Sequence, residues 1–329
     1  MIRRPRALSR RQLLEGGLAA AATTGALLAR PSAAAAATKR VTCFYQFGAA
    51  ALKALAVLPN SENHLHLFTH SHPGSRAHPD AARSVQALGS SFKYGLALDV
   101  HKYPGWQTAG DAQLKAWAEE FRGFALDAGG PADYFAFNEM PTVGPTNPEL
   151  RLQVARWLRH LHTAGGGRNL PGVFYFTERN LNPDLWVGDP APFWEAIDET
   201  CDLVVGEHYH NHGFIYGQSP EKFSTHLFRV ADWLAKSGRQ PEVRVAREKY
   251  AVLLSSYYGP KTTGWWGLLN SEHDPVALEA YFRRVISAVR SSPHGRDRIG
   301  FGPLANKDLD PRVHDILARC LADDLRQAA

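Results

Sequence analysis

Residues 133–141 read DYFAFNEMP, a short aromatic and apolar run that ends in Asn138 and Glu139. Runs of Tyr, Phe and Ala of this length are typical of a β-strand packed in a protein core. A carboxylate is costly to bury, so a strand that leads directly into a glutamate predicts that the protein uses that group. The pattern recurs along the chain, where apolar or aromatic runs alternate with segments of helical spacing.

This alternation comprises eight strand-like runs, each followed by a helix-like segment. Strands are predicted at Val41–Phe47, Leu65–His70, Tyr94–His101, Tyr134–Asn138, Gly172–Thr177, Leu203–His208, Val243–Glu248 and Arg298–Pro303. Helical spacing of apolar residues is clear over Asp111–Ala128 and Pro148–Thr163. Eight such units predict an α/β protein built as a single (β/α)8 TIM barrel. A doubly wound sheet is the alternative, but no glycine-rich phosphate loop follows the first strand.

The first 37 residues are predicted to be an export signal that takes no part in the fold. The pair Arg10-Arg11 precedes a small apolar run, Leu18–Leu28, and Ala35–Ala37 offers a cleavage site of small residues. This order is typical of a twin-arginine signal peptide. The apolar run is shorter than the about 20 residues that a membrane span needs. We therefore expect export to the periplasm or the cell exterior, no membrane span, and one catalytic domain over residues 38–329.

Removing this segment changes the charge of the chain. The whole chain has 37 basic and 32 acidic residues, and the signal holds six arginines and one glutamate, so 31 of each remain. A balanced chain without a basic stripe argues against nucleic-acid binding. Three cysteines, Cys43, Cys201 and Cys320, lie far apart and predict buried thiols rather than a disulfide framework.

Polar residues follow the ends of several predicted strands, and in a (β/α)8 barrel the chemistry lies at the carboxyl ends of the strands. Breaking a glycosidic bond needs two carboxyl groups. One protonates the leaving oxygen, and the other attacks the anomeric carbon or activates a water. Strand ends four and seven face each other across a barrel mouth, so Glu139 and Glu248 could supply this pair. Glu207, near the end of strand six, competes for the place of Glu248.

Two of these strand ends resemble a known group of enzymes. The segment Asn138–Pro141 resembles the Asn-Glu-Pro segment that ends strand four in the clan A glycoside hydrolases, with one residue inserted before the proline. The segment Leu96–Gly105 is similar to the strand-three segment of family 5 cellulase-like enzymes. The resemblance implies a retaining glycoside hydrolase that acts on an oligo- or polysaccharide and needs no cofactor.

The resemblance also implies roles for the two glutamates. Glu139 would be the acid/base, and Glu248 would be the nucleophile at the end of strand seven. Arg247 and Lys249 flank Glu248, and nearby cations lower the pKa of a carboxyl, which suits a nucleophile that stays ionised. The same two cations also suit a plain surface ion pair.

Further substrate contacts are expected around this pair. The resemblance implies that Asn138 binds the sugar 2-hydroxyl and that His101 lines the subsite of the reacting sugar. His208 and Tyr209 stand where the clan often carries a histidine or a tyrosine, and Glu207 is a further candidate contact.

Tryptophans in the predicted loops could add a platform for sugar binding. Trp106, Trp265 and Trp266 follow predicted strands three and seven, and flat aromatic faces stack on the C–H faces of sugars. The alternative is that these rings pack beneath long loops.

Two other functions remain open at this stage. Glu207, His208 and His210 could hold zinc in a metal-dependent hydrolase, since imidazole is a preferred zinc ligand. Neither an HExxH motif nor a zinc-type Cys–His spacing supports that alternative, and the main hypothesis has no metal. A non-catalytic carbohydrate-binding barrel is the second alternative.

Overall fold

The sheet of the protein closes on itself. The computed structural model describes residues 40–45, 53–59, 65–69, 77–98, 100–127, 132–138, 140–165, 168–208, 212–255, 275–302 and 311–327. The strands within these ranges are parallel, each pairs with the next along the chain, and the first also pairs with the last. They are β1 (Val41–Tyr45), β2 (Leu65–Thr69), β3 (Phe92–Leu98), β4 (Tyr134–Phe137), β5 (Gly172–Phe176), β6 (Cys201–His208), β7 (Tyr250–Ser255) and β8 (Arg298–Gly302).

Helices connect the strands, which confirms the predicted alternation of an α/β protein. The described helices are α1 (Ala77–Gln86), α2 (Asp111–Asp127), α3 (Pro148–Thr163), α4 (Ala191–Thr200), α5 (His212–Tyr216), α6 (Pro220–Leu227), α7 (Arg229–Lys236), α8 (Gln240–Arg244), α9 (Pro275–Arg290) and α10 (Pro311–Arg326). Helix α3 has the predicted bounds because Asn147 caps it, accepting a hydrogen bond from the backbone N–H of Leu150 at 3.0 Å. Among the residues described, no helix combines the length and apolarity that a membrane crossing requires.

The predicted seventh strand, Val243–Glu248, is wrong. Its residues continue α8 into a π-helical turn, Val245–Lys249, and β7 begins only at Tyr250. Asp198 of α4 anchors this helical segment. Its carboxylate accepts a hydrogen bond from Nε of Arg244 at 3.0 Å and forms an ion pair with Lys249 at 3.2 Å. The real strand reads YAVLLS, a continuous apolar run of the kind expected for a parallel strand buried on both faces.

Alternating side chains of the strands build two layers of core. The outer layer packs the strands against the helices, and Trp157 of α3 is fully buried there. The inner layer fills the barrel with mostly small or branched side chains: Val41, Cys43, Tyr45, Ala97, Tyr134, Ala136, Val173, Tyr175, Leu203, Val205, Ala251 and Leu253. Residues Lys39–Ala329 form one compact unit around these layers.

The cysteines are buried free thiols, as the sequence predicts. Burial raises the pKa of the Cys43 thiol to about 12 and that of Cys201 to about 12, so both remain protonated. Cys43 belongs to the inner layer and Cys201 to the outer layer, where each behaves as a small apolar side chain.

Candidate active site

Strand β6 brings Glu207 into the interior of the barrel. Side chains alternate along a strand, and Leu203 and Val205 belong to the inner layer, so Glu207 faces the same way. Its side chain is buried, at 3% exposure, and the register of β6 sets it beside Leu253 of β7. Because Glu207 is the next-to-last residue of β6, its carboxyl group lies near the carboxyl end of the barrel.

Tyr175 of β5 lies close to this carboxyl group. The Tyr175 side chain is fully buried in the inner layer. Burial raises the pKa of its phenol well above the usual value, and the nearby Cys43, Tyr45 and Glu207 raise that pKa further. The phenol therefore stays protonated and neutral at any ordinary pH, and its O–H can act as a hydrogen-bond donor.

Tyr45 and Asn138 form a hydrogen-bonded pair in the same part of the barrel. The Tyr45 hydroxyl donates to Oδ1 of Asn138 at 2.5 Å. Its ring packs on Tyr175, with ring centroids 4.9 Å apart and planes inclined by 39°. Four strands thus converge on one cluster: β1 carries Tyr45, β5 carries Tyr175, β6 carries Glu207, and Asn138 follows β4 directly.

This cluster is chemically unlike the rest of the inner layer. Below it the barrel holds alanine, valine, leucine and cysteine side chains, with one phenol, that of Tyr134, at the amino end. A carboxyl group placed among such residues costs free energy compared with one in water, so the arrangement is characteristic of a functional site. It offers a carboxyl group able to act as acid, base or nucleophile, two phenol donors and an amide that can donate and accept.

Glu248 does not join this cluster, so its predicted place at the end of strand seven is wrong. It is exposed on the π-helical turn, two residues before β7 begins, and therefore lies at the amino end of the barrel. Asp198 is the main cause that raises the pKa of Arg244, and the negative charge of Glu248 adds to it. The same charge partly offsets the lowering of the Arg298 pKa by burial. Glu248 therefore contributes to the surface electrostatics at the opposite end of the barrel from Glu207.

His208 is also misplaced by the sequence prediction. It follows Glu207 on β6 and so faces outward, where its Nε2 lies 3.5 Å from the Tyr250 hydroxyl and its ring lies 5.7 Å from that of His226. Glu207 and His208 thus point to opposite faces of the sheet, which excludes the site of Glu207, His208 and His210 as a single set of zinc ligands. Within the described part of the chain, no three His, Cys, Asp or Glu side chains are grouped to hold a metal.

Trp106 is a core residue and not part of a sugar platform. It is 3% exposed, and its ring packs against Trp157 and Phe137 at centroid distances of 5.4 and 6.3 Å. Gln153 of α3 donates to its backbone carbonyl at 2.8 Å, which ties the turn after β3 to that helix.

The remaining predicted contacts are not described. Glu139, Tyr209, Trp265 and Trp266 lie outside the described residues. His101 lies in a short 3₁₀ helix, Val100–Lys102, directly after β3, and only its backbone is described.

Sequence reasoning missed Tyr45 and Tyr175. It examined the residues that follow each strand, whereas these tyrosines lie within strands whose runs, VTCFY and GVFYF, read as plain core. A signal was available for Tyr45 alone: it lies near the carboxyl end of the predicted first strand, and its hydroxyl is the polar end of an otherwise apolar side chain.

Comparisons with known proteins support the fold. No family model matches the chain, and no curated protein matches it. Among solved structures, it is similar to a GH18 chitinase from Pseudoalteromonas aurantia, with a TM-score of 0.53 and 11% identity over 88% of this chain and 100% of that one. It is also similar to a GH18 chitinase from Cycas revoluta in complex with (GlcNAc)4, with a TM-score of 0.50 and 12% identity over 86% of this chain and 99% of that one. At such identities the likeness concerns the fold alone.

Proposed function

We propose that this protein is a glycoside hydrolase whose active site is the cluster of Tyr45, Asn138, Tyr175 and Glu207. The observation that carries the proposal is the buried, inward-facing carboxyl group of Glu207 near the carboxyl end of the barrel. A barrel fold does not by itself imply a particular reaction, so the proposal depends on the side chains of this cluster. The similarity to chitinase folds is consistent with the proposal.

Two carboxyl groups are needed, and Glu139 is the proposed partner of Glu207. Glu139 follows Asn138 directly in the chain, at the carboxyl end of β4, while Glu207 lies two strands away on β6. Glu139 protonates the leaving oxygen as Glu207 attacks the anomeric carbon. Glu139 then removes a proton from the water that releases the sugar from Glu207. This double displacement requires the two carboxyl groups to lie about 5–5.5 Å apart.

We also propose that the domain is a complete (β/α)8 barrel, in which a connection that contains at least one helix follows each strand. Its substrate is an oligo- or polysaccharide, the class to which the (GlcNAc)4 bound by the Cycas chitinase belongs. His101 and Tyr209 are proposed sugar contacts, and Trp265 and Trp266 a stacking surface. Residues 1–37 are proposed to direct the folded chain out of the cell.

Three substitutions to glutamine test the site. We expect E207Q to lower kcat/KM on aryl glycosides and on chitooligosaccharides by about 10²–10⁴-fold. E139Q should cause a loss of this size on chitooligosaccharides, whose leaving oxygen needs protonation. The matched control is E248Q, which removes a carboxyl group from the amino end of the barrel and should leave kcat/KM unchanged. Full activity of E207Q, or a loss in E248Q equal to that in E207Q, would overturn the assignment.

Azide separates the two roles in the same experiment. In E207A, azide should replace the missing nucleophile and yield a glycosyl azide of inverted configuration. In E139A, an activated aryl glycoside should still form the glycosyl-enzyme, and azide should yield the retained product. A retained product from E207A together with an inverted product from E139A would show that Glu139 is the nucleophile and Glu207 the acid/base.

A further inference from the structure

We infer that Tyr45 is a positioning residue that turns the donor end of the Asn138 amide toward the bound sugar. The inference rests on the proposed function, because it concerns how the same site recognises its substrate. It is carried by one hydrogen bond, one ring contact and the surroundings of the amide.

The hydrogen bond fixes which end of the amide faces which way. A side-chain amide has an acceptor end, Oδ1, and a donor end, Nδ2. The Tyr45 hydroxyl donates to Oδ1 of Asn138 at 2.5 Å, so the Nδ2 group is directed away from Tyr45. No side chain or carbonyl of the described residues accepts a hydrogen bond from this Nδ2 group, and Asn138 is only half-buried. The two N–H donors are therefore available to an oxygen of a ligand.

Both partners of the hydrogen bond are held in place. The Tyr45 side chain is 4% exposed, and its ring packs 4.9 Å from the ring of Tyr175. Asn138 continues β4, whose Phe137 pairs with Phe174 of β5. Two residues later, the backbone N–H of Met140 donates to the carbonyl of Tyr175 at 3.0 Å. The backbone is thus anchored on both sides of the Asn138-Glu139 dipeptide.

The cost of losing the Tyr45 hydroxyl follows from this geometry. Without it, the amide can rotate by half a turn about its last side-chain bond and present Oδ1 to the ligand. A sugar hydroxyl or carbonyl that accepts from Nδ2 then loses its donor for part of the time. A single net hydrogen bond of this kind corresponds to a loss of about 3- to 10-fold in kcat/KM.

A double-mutant cycle of Y45F, N138A and the double variant tests the inference. We expect Y45F to lower kcat/KM about 3- to 10-fold in the wild-type background and to have no effect in the N138A background. The matched control is Y134F, which removes a phenol from the opposite end of the inner layer and should retain wild-type kcat/KM. An equal loss from Y45F in both backgrounds would mean that Tyr45 acts only by packing and would overturn the inference. So would wild-type activity of Y45F.

A second readout needs no turnover and separates this inference from the proposed function. The side-chain amide signals of Asn138 in a ¹⁵N spectrum can be identified by their absence from N138A. We expect Y45F to shift or broaden these signals and Y134F to leave them unchanged. If the wild-type protein cleaves no glycoside, the proposed function fails, and the amide signals alone decide the role of Tyr45. Unchanged Asn138 signals in Y45F would show that Tyr45 does not orient the amide.

Discussion

At the scale of single residues, Gly300 of β8 occupies a position with no room for a side chain. A Cβ atom there would lie 2.4 Å from Sγ of Cys43 and 2.6 Å from Cδ1 of Leu253. Both neighbours belong to the inner layer and are fully buried, so neither can move without displacing others. The interior of the barrel next to Glu207 is therefore tightly packed, which restricts movement of the neighbouring side chains.

We expect G300A to lower the free energy of unfolding by about 1–3 kcal/mol, the usual cost of overpacking a core. Denaturant unfolding followed by far-UV circular dichroism measures this. The control is G123A on α2, where a Cβ atom would meet no atom within 4 Å; it should be neutral or stabilise the protein by up to about 1 kcal/mol. A G300A variant as stable as the wild type would contradict the close contact of β1, β7 and β8 inside the barrel.

Single residues also show how far the site could be predicted from the sequence. Asn138 and Glu207 could be identified because polar residues at strand ends are expected to face a barrel mouth. Tyr175 could not, because a tyrosine inside an apolar run reads as core until the register shows which face it occupies. His208 was misjudged for the same reason: it follows Glu207 by one residue, which reverses its face.

At the scale of elements, the seventh strand shows why the alternation of parallel strands and helices was predicted correctly but one strand was placed on the wrong segment. Val243 and Val245 alternate with charged residues, which is the pattern of a half-buried strand. Barrel strands are buried on both faces, so the continuous run of β7 was the better candidate. Contacts with α4, which are distant in sequence, hold the helical segment, and local patterns cannot reveal them. Because of this error, Glu248 was predicted at the carboxyl end of the barrel, whereas it lies at the amino end.

The last two helices are tied by an ion pair whose contribution should depend on pH. Asp323 of α10 accepts hydrogen bonds from Arg283 of α9 at 2.9 Å and from Arg326 at 2.8 Å. These bonds, that from Arg283 first, lower the pKa of the Asp323 carboxyl below its usual value. A carboxyl group with a lowered folded-state pKa stabilises the fold above its unfolded pKa of about 3.9. That contribution is lost as the pH falls through the folded-state pKa.

We expect D323N to lower the unfolding midpoint by roughly 1–3 °C at pH 7, since the pair is largely exposed. The difference from the wild type should be smaller at an acidic pH below the lowered pKa of Asp323, where the wild-type carboxyl is protonated as well. Thermal scans at the two pH values measure this. E119Q on α2 is the control, because its exposed contact with Lys115 is long, at 3.9 Å, and should contribute nothing measurable. A D323N effect of equal size at both pH values would show that the ion pair is not its cause.

At the scale of the whole molecule, the start of the fold is fastened to its end. Arg40, immediately before β1, binds the carboxylate of Asp324 on α10 at 3.0 Å, and Arg290 of α9 binds the same carboxylate at 2.7 Å. Together with the pairing of β1 and β8, this closes the barrel from both ends of the chain. All three cysteines are buried free thiols, so this folded state needs no oxidising compartment to form. Both features are compatible with the proposed export of an already folded chain.

The proposed export by the twin-arginine route predicts a strict requirement for Arg10 and Arg11. R10K/R11K keeps both positive charges but replaces the planar guanidinium groups, so it should leave the protein folded inside the cell. Fractionation of an expressing bacterium, with the mass of the exported form, measures this. Cleavage after Ala37 would retain Arg40 and its bond to Asp324, so the exported form should unfold at the same temperature as the full chain. The control, R3K/R4K, changes two arginines outside the motif and should be exported normally. Export of R10K/R11K at the wild-type level would show that another signal directs the protein.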